Sequence, residues 1–231
     1  MSQSQLLYAV LDLLLIIPAI ILHEVSHGYV AYMLGDPTAK NAGRLTLNPL
    51  AHVDIYGTII LPALMFLVAG FAIGYAKPVP VNPMLMRKTN PQTGMLLTGA
   101  AGPLTNITLA VVSALMFRVL FLVLPAGSIV LYIVAFFTLI NLVLAFFNLI
   151  PIPPLDGSRV VQWFLKGDSL RRYHSLERYG ILIVLGLVFI LPQITGGQFD
   201  PIGFYFDYTV FPVLRFFGGS NILMVLARVF G

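Results

Sequence analysis

His23-Glu24-Val25-Ser26-His27 sets two imidazoles four residues apart with a carboxylate beside the first. On a helix this spacing stacks both rings on one face, so two nitrogens can reach one Zn2+ at the usual ~2.0–2.1 Å. Glu24 is offset by one residue and is placed to act as general base on an attacking water. The residue types and their spacing are those of metal-assisted hydrolysis. The competing reading is a pair of hydrogen-bonded core histidines next to a buried acid. It fits poorly, because the surrounding stretch 6–34 is apolar and ionisable side chains inside a membrane helix are expensive unless they function. The chain holds 4 histidines in all, and this motif takes two of them.

A catalytic zinc commonly has three protein ligands and one open position, so a third ligand is needed. With 0 cysteines the chain has no thiolate to offer, nor a cysteine nucleophile or a disulfide, and the ligand must be His, Asp or Glu. Asp156 is favoured. It ends the run Asn148-Leu149-Ile150-Pro151-Ile152-Pro153-Pro154-Leu155-Asp156-Gly157, where the prolines must break the preceding helix and let a carboxylate turn inward. Its rivals are His52 and Asp54, in a polar stretch that reads equally well as a solvated turn.

The elements that must position these groups belong to a membrane protein. Hydrophobic residues make up 58% of the 231 and charged residues 10%, against about 25% charged in soluble domains. A span needs about 20 apolar residues. Candidates lie at 6–34, 55–76, 95–124, 128–150 and 177–195, with a weaker one at 205–230. The expected fold is therefore an all-α polytopic membrane protein with about five to six transmembrane segments. The first span reads as retained rather than cleaved. Residues 1–231 read as a single membrane-embedded domain, with a catalytic core at about 6–165 and accessory membrane segments at about 177–230. The segment 55–76 is interrupted by Gly57, Pro62, Gly70 and Gly74 and either crosses once or is re-entrant. Lys77-Pro78-Val79-Pro80-Val81-Asn82-Pro83 cannot be helical and forms a short extended loop. A net charge of +4 dispersed between apolar runs argues against nucleic acid as a partner.

Topology follows from bringing the ligands to one depth. His23 and His27 lie past the middle of the first span, and Asp156 lies just past the span 128–150, so these two helices must run parallel. The span 95–124 turns back between them through 125–127, which requires 55–76 to return to the side it left. The Lys and Arg residues within 40–44, 77–88 and 159–172 then share one side, which the positive-inside rule makes cytoplasmic.

Taken together, His23 to His27 and the downstream N-x-x-P-x-x-P-L-D-G at 148–157 resemble the site-2 protease family of intramembrane zinc metalloproteases. Ala101-Gly102-Pro103-Leu104-Thr105-Asn106 is similar to the family's central helix. The stretches 43–49 and 76–83 resemble its compact prokaryotic subgroup, which lacks PDZ and CBS domains. The resemblance covers roughly residues 10–165. It implies a Zn2+ cofactor held by His23, His27 and Asp156, Glu24 as base, and Asn106 and Asn148 as substrate-facing or transition-state-stabilising amides. It also implies a transmembrane protein or peptide as substrate, in a multi-pass enzyme of the cell membrane.

From the residues themselves, Asn106 reads equally well as a bridge between helices. A transporter is the alternative from another class, since broken helices and buried ionisable groups also serve ion pathways. A noncatalytic metal-binding membrane protein is a third. The glutamate beside two zinc ligands and the lack of a paired repeat favour the protease.

Overall fold

The computed structural model describes residues 3–54 and 78–230, and the apolar segment expected to cross or re-enter at 55–76 lies outside them. Among the described residues every regular element is helical. Three long apolar helices form the frame: α1 (Gln3–Met33), α2 (Pro91–Phe121) and α3 (Ile129–Asn148). Each is long and apolar enough to cross a membrane, as is the helical stretch Gly167–Ile194. The bent pair Pro201–Gly218 and Ser220–Ala227 supplies a fifth candidate.

Local chemistry sets the helix limits. Asn90 caps α2 by accepting from the Thr93 amide at 2.8 Å, and Pro91 fills the first position, where its missing N–H costs nothing. Ser128 caps α3 by accepting from Val130 N at 3.3 Å. Beyond Asn148 the prolines at 151, 153 and 154 forbid further helix, and the chain turns through 149–155 into the short α4 (Gly157–Phe164). Next come α5 (Gly167–Ser175) and α6 (Gly180–Leu185), the latter continued by a π-helical turn at Gly186–Ile190. The last three helices are α7 (Pro201–Tyr208), α8 (Val210–Gly218) and α9 (Ser220–Phe230). The weak span expected at 205–230 is thus not one helix. Gly219 adopts φ +80°, a conformation that favours glycine, and the chain bends there by 109°.

Side-chain bonds between the long helices fix their directions. Tyr132, near the start of α3, donates to Asp12 of α1 at 2.7 Å. Midway, Asn106 of α2 bonds Asn141 of α3 at 2.7 Å and the Ala19 carbonyl of α1 at 3.3 Å. Ser113 and Thr138 pair at 2.8 Å nearer the start of α3. Hence α1 and α3 run parallel with α2 antiparallel between them, as the ligand argument requires. The end of α1 and the start of α2 then share one end of the bundle. There Leu34 O accepts from Lys88 N at 3.2 Å, and the buried Asp36 carboxylate accepts from Asn82 N at 2.6 Å. The residues 78–82 are non-helical and lie against this end. The opposite end, built from α2, α3, α8 and α9, holds the apolar core around Phe117, Leu131, Tyr132, Leu214 and Ile222.

Candidate metal centre

His23 and His27 sit on one face of α1, both 5% exposed, with ring centroids 4.7 Å apart. Asp156 ends the proline-broken turn and meets them at 7% exposure. Its Oδ2 lies 3.1 Å from His23 Nε2 and 3.1 Å from His27 Nε2. Gly157 permits this approach, because a Cβ there would come within 2.2 Å of the Leu149 carbonyl at the end of α3. Among the described residues, these three form the only group of His, Asp and Glu side chains close enough to hold a metal ion. His52 is buried elsewhere, its Nε2 2.8 Å from the Thr46 carbonyl, and neither it nor Asp54 joins the cluster.

Partners behind the rings orient the two imidazoles. His27 Nδ1 lies 2.6 Å from the Thr98 carbonyl, an acceptor only, so Nδ1 carries the proton and donates. His23 Nδ1 lies 2.5 Å from Asn106 Oδ1. Asn106 donates its amide hydrogens to Ala19 O and Asn141 Oδ1, so its oxygen faces His23 and accepts. Asn141 in turn donates to the Phe137 carbonyl of its own helix at 2.8 Å. Fixing both Nδ1 atoms as donors aims both Nε2 atoms at Asp156, the outer-shell arrangement typical of metal-ligating histidines.

With Nδ1 protonated on both rings, the two Nε2 lone pairs face the Asp156 carboxylate, so acceptor meets acceptor unless a cation stands between them. Two nitrogens and an anionic oxygen thus converge at one buried point. A single divalent cation satisfies all three without adding protons to the rings, and an N, N, O donor set suits Zn2+. Backbone shape makes room for this as well. A Cβ at Gly102 would lie 2.4 Å from His27 Nε2 and 2.6 Å from His23 Nε2, so any larger residue on α2 here would push the two rings from their positions.

Glu24 borders the same cavity, a space of about 120 Å³ also lined by Val79, Asn148, Pro154 and Arg159. That is room for a few waters. Val79 N donates to Glu24 Oε2 at 3.1 Å, which ties the non-helical segment 78–82 to α1 beside His23 and His27. Asn148 reaches the cavity while donating to the Leu144 carbonyl at 2.9 Å. Asn106 does not reach it. The side chain is wholly buried and committed to His23, Ala19 and Asn141.

The parts that sequence reasoning missed are Asn141, the Thr98 carbonyl, Val79 N–H and the clearance at Gly102. Asn141 carried a legible signal, since an amide midway along an apolar span must find a partner inside the protein. A backbone carbonyl or amide carries none.

The sequence is similar to those of known proteins. The pattern of peptidase family M50 matches residues 11–192. YwhC of Bacillus subtilis is 36% identical over 90% of this chain and 87% of its own length. Rip2 of Mycolicibacterium smegmatis is 29% identical over 81% of this chain and 70% of its own. Both are named as candidate zinc metalloproteases. MJ0392 of Methanocaldococcus jannaschii, named as a zinc metalloprotease, is 29% identical over 79% of this chain and 41% of its own length. No solved structure matches the chain.

Proposed function

The chain belongs to peptidase family M50, the site-2 proteases, and from that membership we propose an HExxH-type zinc endopeptidase that cuts membrane proteins in or near their transmembrane segments. The observation that carries this reading is the convergence of His23, His27 and Asp156 in one cavity with Glu24 at its edge. The relatives are named as proteases, and nothing found among them favours a transporter or a noncatalytic metal-binding protein.

His23, His27 and Asp156 would hold the metal. Zinc there would supply a Lewis acid for hydrolysis. Glu24 takes a proton from the attacking water and passes it to the leaving amide nitrogen. The Val79 amide holds Oε2 of this carboxylate, which leaves Oε1 to meet the water. Asn106 keeps His23 in the ligating orientation through its Oδ1. Asn148 is the amide with access to the cavity, and it hydrogen-bonds the substrate backbone.

A transmembrane helix hides its amides in internal bonds, so the substrate must unwind before it can be cut. The non-helical segment 79–81 and the proline turn at 151–154 reach the cavity through Val79 and Pro154 and offer backbone edges to an unwound strand. The basic residues of 40–44, 87–88 and 159–172 gather at the end that carries His23 and His27, and by the positive-inside rule they support reading that end as cytoplasmic in a multi-pass protein of the cell membrane. Residues 1–231 act as one domain.

Purified protein reconstituted in bilayers should cleave a helical membrane substrate only with zinc present. Glu24→Gln should retain zinc and lose cleavage by at least about a hundredfold. A Glu24→Gln protein that cleaves at the normal rate would remove Glu24 from its role as base.

A further inference from the structure

Arg159 has no part in the chemistry above, yet it borders the metal cavity. It stands on the first turn of α4, one turn after Asp156. Its stem lies flat on α2, where a Cβ at Gly99 would come within 2.9 Å of its Cβ and Cδ. Two further hollows, of about 280 and 250 Å³, meet the metal cavity at this same residue and lead toward Gln162 and His174. Arg159 is therefore the junction between the metal centre and a groove running out at the charged end of the bundle.

Among the described residues Arg159 makes no ion pair. Asp156 is engaged by the two metal-site histidines. Glu177, the acid bordering the groove, is held by His174 at 2.9 Å and Gln162 at 3.3 Å. Glu24, in the same cavity, is held by the Val79 amide, so among the described residues a half-buried guanidinium, permanently charged and carrying five donors in a planar fork, borders the groove with no acid paired to it. Its geometry matches a carboxylate bidentately.

We propose that Arg159 forms a carboxylate-binding subsite beside the metal centre, which holds an anionic group of the peptide in the groove. Two sources supply that chemistry: the new C-terminal carboxylate released by cleavage, and an Asp or Glu side chain close to the cut. The inference rests on the metal centre being the site of hydrolysis, and its test separates the two.

In zinc-loaded Glu24→Gln protein, where binding proceeds without turnover, affinities are measured for short Leu/Ala peptides ending in a free carboxylate or in an amide. A second pair, both amidated, carries one central Asp or Asn. The acidic member of at least one pair should bind about ten- to hundredfold more tightly, and which pair does so identifies the source. Arg159→Gln should erase that preference while the neutral peptides bind as before, and Arg159→Lys should keep part of it. Zinc content reports that each variant is folded at the ligands. Equal binding of acid and amide, no binding of either, or a preference that survives Arg159→Gln would overturn the subsite. Failure of the hydrolytic reading would show separately, as the absence of zinc-dependent cleavage by the native protein.

Discussion

The two ends of the α1, α2 and α3 bundle are built on opposite plans. At one end Phe117, Leu131, Leu214 and Ile222 fill the space between helices, and the polar contacts are isolated pairs such as Tyr132 with Asp12 and Ser113 with Thr138. From the middle of the bundle toward the other end, His23, His27, Asp156, Asn106, Asn141 and Thr98 form one connected network at the same helix interfaces, with glycine where the rings need space. Lipid is as apolar as leucine, so burial of apolar surface does not by itself drive membrane helices together, and packing and hydrogen bonds do. The apolar end can lose an atom and repack. The network end holds a fixed geometry, because each member exists to aim another.

That contrast yields a ladder of effects. The largest belongs to Gly102→Val, which drives a side chain into the space of both Nε2 atoms; turnover and zinc binding should each fall by at least about a hundredfold, as read by peptide cleavage and metal titration. Asn106→Ala removes the acceptor for His23 Nδ1–H and should weaken zinc by about 10–100-fold, the usual cost of losing an outer-shell partner. Asn141→Leu acts one step further away, by releasing Asn106 to rotate; its effect on zinc affinity should be smaller than that of Asn106→Ala, and the double variant should cost less than the sum of the two. At the foot of the ladder, Tyr132→Phe deletes one bond at the apolar end. It should lower stability by about 1 kcal/mol in a denaturation assay and leave zinc affinity unchanged. A Tyr132→Phe protein with impaired zinc binding would mean that the two ends are not separate.

How much was legible in the sequence follows the same division. His23, Glu24 and His27 lie in one helical turn, so their periodicity alone sets them on a common face. Asp156 could be argued from the proline break, and the need for three ligands at one depth fixed α1 parallel to α3 before any contact was visible. The apolar runs marked the spans, but length and hydropathy do not show where a span bends, so Gly219 escaped notice as the break near the C-terminus. Asn106 was identifiable as a residue of consequence, whereas its orientation was not. Whether an amide faces a substrate or the back of an imidazole depends on helix rotation, which Gly102 and the close passage of α2 past α1 decide. The tie between Val79 and Glu24 is a backbone amide meeting a side chain 55 residues away, and no residue type announces it.

The central claim is that Asp156 completes the metal site begun by His23 and His27, and metal analysis of purified variants tests it most directly. The native chain and Glu24→Gln should each carry about one zinc, as should His52→Ala, because His52 is bound to Thr46 and stands apart from the cluster. Asp156→Ala should be nearly empty. An Asp156→Ala protein that keeps its zinc, while His52→Ala or Asp54→Ala loses it, would contradict the account.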